Sequence, residues 1–138
     1  METIPALALC LMLGMMSLAP VTVADTFPDK CGEVLTDHTG VISNLFYPPN
    51  FWCEWIIKAE PGKVVELSFT YIKMIPELNC PWGAVTIYDG YQGDNNKLAR
   101  ICKDTTKKFY STSSVMTVLF VTDSDISGDK FEARYTIL

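Results

Sequence analysis

Four sets of side chains in this chain of 138 residues have types and spacings that could do chemistry. The first is acidic. Asp123 and Asp125 lie one residue apart in residues 122–130, a stretch of acidic and hydroxyl side chains with a Gly, which is loop composition. Neighbouring carboxylates can hold a cation or exchange a proton. Calcium asks for about six to eight oxygens, several of them carboxylate. Asp123 and Asp125 are too few even with Glu77 and Asn79 leaning in. The expectation is a solvated acidic turn, with no metal and no cofactor. A hydrolase built on the two Asp residues would need a cleft and a raised pKa, and nothing in the sequence promises either.

The second set is basic. Lys97, Arg100, Lys103, Lys107 and Lys108 fall within twelve residues, with Phe109 and Tyr110 adjoining. Gathered on one surface, they would hold the sulfate or phosphate groups of a glycan or lipid beside an aromatic platform. The plainer reading is a row of surface lysines flanking a strand, diluted by Asp94 and Asp104. The third set is aromatic: Phe46, Tyr47, Phe51 and Trp52 around Pro48 and Pro49. Most of these rings are expected to pack over a sheet edge, leaving one or two for a partner.

The fourth set is the cysteines. Their chemistry depends on the first two dozen residues. Residues 4–18 are apolar and rich in Met and Leu, and Thr22 and Ala24 suit cleavage before Asp25. The run is shorter than the roughly 20 residues that span a bilayer. Residues 1–24 are therefore expected to be a signal peptide, although the segment carries Glu2 and no Lys or Arg ahead of its apolar run. No second such run follows, so a secreted product without a transmembrane span is expected. Cleavage removes Cys10 and leaves Cys31, Cys53, Cys80 and Cys102. An even count in a secreted chain implies two disulfides, and three pairings are open. Zinc is disfavoured, because there is no C-x-x-C and the chain has one histidine. That histidine, His38, sits in a turn beside Asp37. As a catalytic base it lacks a nucleophile, and no G-x-S-x-G is present. No enzymatic activity is expected. No Asn is followed two residues later by Ser or Thr, so no N-linked glycan is expected either.

The net charge of -5 comes from 16 acidic and 11 basic residues, and no long run of one sign occurs. Nucleic acid is excluded as the main partner, since phosphate tracking needs clustered Lys and Arg.

The elements that must position these groups read as strands. Met116, Val118 and Phe120 alternate on one face, as do Phe131, Ala133, Tyr135 and Ile137. Val65, Leu67, Phe69 and Tyr71 line a third strand. Cys53, Trp55 and Ile57 point one way, which puts a cysteine beside a large aromatic in a core. Shorter candidates are residues 34–35, 41–43, 85–88, 98–102 and 108–110, separated by turn residues such as Glu60-Pro61-Gly62 and Asp89-Gly90. No segment keeps helical periodicity over three turns. Many short strands with frequent turns predict one all-β sandwich.

Taken in order, the residues resemble a CUB domain over nearly all of residues 31–138. The resemblance rests on Cys31-Gly32, Gly40-Val41-Ile42-Ser43, Tyr47-Pro48, Cys53-Glu54-Trp55-Ile56-Ile57 and Leu67-Ser68-Phe69. It continues through Cys80, Val85-Thr86-Ile87-Tyr88-Asp89-Gly90, Leu98 to Cys102, Thr122-Asp123 and Phe131 to Tyr135. It implies an all-β, two-sheet jelly-roll sandwich with Cys31 paired to Cys53 and Cys80 to Cys102. Of the calcium ligands that the resemblance would carry over, one falls on Ile75 and one on Gly83, neither of which has an oxygen side chain. Only the third, Asp123, remains, and a tyrosine near the site falls on Phe51. A lone domain behind a signal peptide resembles the spermadhesins, which implies a secreted, non-catalytic protein that binds extracellular glycans, lipids or proteins, alone or as an oligomer. The alternative is a piece or relative of a larger extracellular protease or receptor, in which the domain mediates assembly.

Overall fold

The computed structural model describes residues 31–44, 52–75, 77–122 and 129–138. The expected signal peptide lies outside them. The described residues form strands and turns without helix, and none of them belongs to a helix long and apolar enough to cross a membrane. The strands are β1 (Val34–Leu35), β2 (Thr39–Ser43), β3 (Trp52–Lys58), β4 (Val65–Lys73), β5 (Gly83–Asp89), β6 (Lys97–Ile101), β7 (Phe109–Tyr110), β8 (Val115–Thr122) and β9 (Lys130–Ile137). They build a five-stranded sheet in the order β1-β3-β8-β5-β6 and a four-stranded sheet in the order β2-β9-β4-β7.

Alternation in the sequence becomes rungs in the sheets. Cys53 pairs with Phe120, and Phe120 with Val85; Trp55 pairs with Val118, and Val118 with Ile87. All of these are buried, so the five-stranded sheet turns one continuous apolar face inward. The four-stranded sheet answers with Ile42 opposite Ala133 and Leu67 opposite Tyr135, also buried. Aromatic rings join the layers. Phe131 of β9 meets Trp55 edge-on at 5.8 Å and lies 5.3 Å from Phe120 between ring centroids. Such pairs add about 0.5–1.5 kcal/mol beyond their buried area. Gly40 is required where it is: a Cβ there would lie 2.4 Å from the ring of Tyr135, its partner across the β2–β9 ladder.

One expectation is corrected. Simple alternation puts Tyr71 inward with Val65, Leu67 and Phe69. In the structure the register shifts between Phe69 and Tyr71, leaving Thr70 as the extra residue of a β-bulge. Tyr71 then pairs with Glu132 and stays half-exposed, while Ile72 pairs with Phe131 and is buried. A single inserted residue reverses which side chain enters the core.

Two disulfides staple the sandwich: Cys31–Cys53 and Cys80–Cys102, with Cα separations of 5.4 and 5.7 Å. Both join residues 22 apart in sequence.

Candidate functional site

The basic residues lie on β6 and on the segment that joins it to β7. β6 is the edge of the five-stranded sheet and β7 the edge of the four-stranded one, so residues 102–108 carry the chain between layers. Lys97 and Arg100 pair with Tyr88 and Thr86 of β5, whose neighbours Val85 and Ile87 are core; both basic residues therefore belong to the outer face. Lys103 lies across from Lys73 at the end of β4. The Lys107 ammonium sits 5.4 Å from the centroid of the Phe109 ring. Lys108 lies 3.7 Å from the Glu66 carboxylate, and the Tyr110 hydroxyl donates to the same oxygen at 2.9 Å. That hydrogen bond to Glu66 holds the Tyr110 phenol above its ordinary pKa. The structure brings Lys107 and Lys108 together with Phe109 and Tyr110, and brings Lys97 near Arg100.

On its own side Lys97 helps to line an open depression of about 420 Å³ with Tyr88, Gln92, Gly93 and Asp94. The loop that forms its rim is braced by the β-turn after β5. Gly90 takes φ +93°, which a side chain resists, and its N–H donates to the Val115 carbonyl at 2.8 Å. Asn96 donates to the Asp89 carbonyl at 2.8 Å, and both Asp89 carboxylate oxygens accept from Thr112, also at 2.8 Å. The depression offers a phenol ring, an amide, a carboxylate and an ammonium, the mixture that grips a polar ligand by stacking and hydrogen bonds. Composition marks residues 91–97 only as polar and does not single out Tyr88, Gln92 or Gly93. The available signal was the alternation of β5, which turns Tyr88 outward toward Lys97.

His38 lines a second depression, of about 460 Å³, with Thr36, Lys58, Glu60 and Ile137, and its carbonyl accepts from the Ile137 N–H at 2.8 Å. Trp52 opens β3 and is 62% exposed, whereas Trp55 takes the core position. Phe46, Tyr47 and Phe51 lie outside the described residues.

Asp123 and Asp125 also lie outside the described residues. Asn44, Gly83, Asp129 and Phe131 lie close to one another. The buried Asn44 side chain accepts from the Phe131 N–H at 2.6 Å and donates to the Asp129 carbonyl at 2.9 Å. The Asp129 carboxylate reaches into the gap left by Gly83, where a Cβ would lie 2.7 Å from its Oδ2. That oxygen is buried without a hydrogen-bond partner, and burial raises the Asp129 pKa above the ordinary carboxylate value. Glu77 uses its backbone carbonyl to accept from the Cys80 N–H at 2.9 Å, and Asn79 stands at φ +65° with its carbonyl accepting from Arg100.

Comparison with known proteins agrees with this architecture. Residues 31–135 match the family described as CUB domain. The chain is 34% identical over 107 residues to the inactive serine protease PAMR1 of Pongo abelii, an alignment covering 77% of this chain and 15% of that protein. It is 29% identical over 133 residues to procollagen C-endopeptidase enhancer 2 of Mus musculus, covering 93% of this chain and 32% of the other. The chain thus spans less than a third of each relative. Its fold superposes on the second CUB domain of MASP-1 bound to calcium with a TM-score of 0.63 at 25% identity, covering 78% of this chain and 99% of that one. Asp123 and Asp125, the weak calcium candidates of the sequence, lie outside the described residues. No three His, Cys, Asp or Glu side chains converge among the described residues, and Asp129 fills the space beside the side-chain-less Gly83. The matched span, the two-layer sandwich and the paired cysteines together place this chain in the CUB domain family.

Proposed function

We propose that this chain is a non-catalytic recognition domain that acts outside the cell, after loss of residues 1–24 as a signal peptide, by holding other proteins together. What carries the reading is how the described acidic side chains are used. Asp89 is tied to Thr112, Glu66 to Tyr110 and Lys108, and Asp104 caps the Ile72 N–H at 2.7 Å. These carboxylates brace loops and edges, which suits a rigid presenting surface. Two disulfides in so small a domain support an oxidising, extracellular setting. Relatives in which the matching segment is a minor part of a longer chain support the assembly role over a free-standing one.

A finer reading, binding of anionic glycans, is favoured by one observation: Lys97 and Tyr88 share a depression with Asp94 and Gln92. Immobilised protein offered to native extracellular fluid tests the assembly role. Partners retained by the natural chain and lost from Tyr88→Ala with Lys97→Glu are expected. Passage over heparin resin at low salt tests the glycan reading, and an unretained protein would end it.

A further inference from the structure

The outer face of the five-stranded sheet carries apolar side chains on β1, β3 and β8 beside small buried ones, Ala84, Thr86 and Thr117. Three rungs make it up. In one, Val121 pairs with Trp52 and Ala84. In the next, Leu119 pairs with Glu54 and Thr86, and Thr86 with Arg100. In the third, Thr117 pairs with Ile56 and Tyr88, and Ile56 with Val34. Val34, Trp52 and Val121 are 52%, 62% and 40% exposed. Contiguous exposed apolar side chains on a sheet face mark an interaction site.

The charges on this face show what would cover it. The middle rung ends in a carboxylate at Glu54 on β3 and a guanidinium at Arg100 on β6, three strand spacings or about 14 Å apart. Among the described residues Glu54 has no ion-pair partner, and Arg100 donates only to the Asn79 carbonyl. Consider a two-fold axis parallel to the strands, lying between β8 and β5 in the plane of contact. It sets Glu54 of one copy over Arg100 of the other, and the reverse pair forms by symmetry. Leu119 then covers Thr86 at the centre. An axis along the rung would instead set Glu54 against Glu54. The face is complementary to itself in one orientation.

We propose that a second copy of this chain docks here, sheet to sheet, with two Glu54–Arg100 ion pairs flanking the two Leu119 side chains. Two such sheets pack about 10 Å apart with strands within about 30° of parallel. The rungs span about 400 Å² per copy from strand spacings, which places the contact among weak, concentration-dependent associations.

Sedimentation velocity of the purified protein, at rising concentration up to about 1 mM, provides the test. The average mass is expected to rise toward that of a dimer. Glu54→Arg, Arg100→Glu and Leu119→Lys should each weaken association by about 10-fold or more. The double variant Glu54→Arg with Arg100→Glu should recover most of the loss, since the pair is re-formed with its signs exchanged. All the altered residues lie on the outer face, so unchanged circular dichroism is expected. If Glu54→Arg did not fold, Arg100→Glu and Leu119→Lys would carry the same comparison. A protein that stays monomeric throughout, single variants that associate as well as the natural chain, or a double variant no better than the singles would each overturn the proposal.

Discussion

At the scale of single residues, Asp129 is the group whose environment works against it. Its Oδ2 is buried, unpartnered and wedged beside Gly83, and burial lifts its pKa. A raised carboxylate pKa means that the folded state holds a proton the unfolded state has released. Stability contributed by this group therefore falls as pH rises from the ordinary carboxylate value through the folded one, and the full cost stands at neutral pH. Asp129→Asn removes the charge. Urea denaturation should find the variant more stable than the natural chain at pH 7, by less than about 1 kcal/mol because the group is partly open to solvent. The difference should shrink steadily as pH is lowered through that window. A variant less stable at pH 7 would show that Asp129 has a compensating partner.

At the scale of elements, the edges of the four-stranded sheet depend on side chains standing in for strands. Ser111 follows β7 and is buried. Its hydroxyl accepts from the Val65 N–H at 2.8 Å and donates to the Ser113 carbonyl at 2.7 Å, while its own N–H donates to the Val65 carbonyl at 2.9 Å. It thus prolongs a ladder in which β7 contributes two residues. Ser111→Ala strands a buried backbone donor, which costs about 1–3 kcal/mol. A fall of that size in unfolding free energy is expected, together with faster hydrogen exchange at Val65. Asn44 performs the same service at the start of β9, through its bonds to Asp129 and Phe131.

At the scale of the whole molecule, two layers enclose one aromatic core, and the two disulfides restrict the unfolded chain that this core must order. Each closes a loop spanning a sequence separation of 22, which on the chain-entropy account contributes about 3 kcal/mol. Replacing Cys80 and Cys102 together by Ala should lower stability by about that amount while leaving the strand signal in circular dichroism. Reduction of both bridges should cost more, and a domain of this size is expected to lose its cooperative melt. Unchanged melting in strong reductant would show that the core alone is sufficient.

The sequence alone determined the layer architecture. Strict alternation in β9, the face shared by Met116, Val118 and Phe120 in β8, the Cys53-x-Trp55 pairing of a half-cystine with a core ring, and the absence of helical periodicity all follow from side-chain patterning that local geometry must obey. The family resemblance added the disulfide pairing. Two things were settled only by tertiary structure. One is register: Tyr71 gave up the core to Ile72 because an extra residue at Thr70 has no consequence until a partner strand lies beside it. The other is neighbourhood. Lys107 and Lys108 are adjacent along the chain, yet Lys107 lies over the Phe109 ring while Lys108 shares the Glu66 carboxylate with Tyr110. Conversely, Glu54 and Arg100 are far apart in sequence and share a rung, because strand order is set by pairing and burial rather than by distance along the polypeptide.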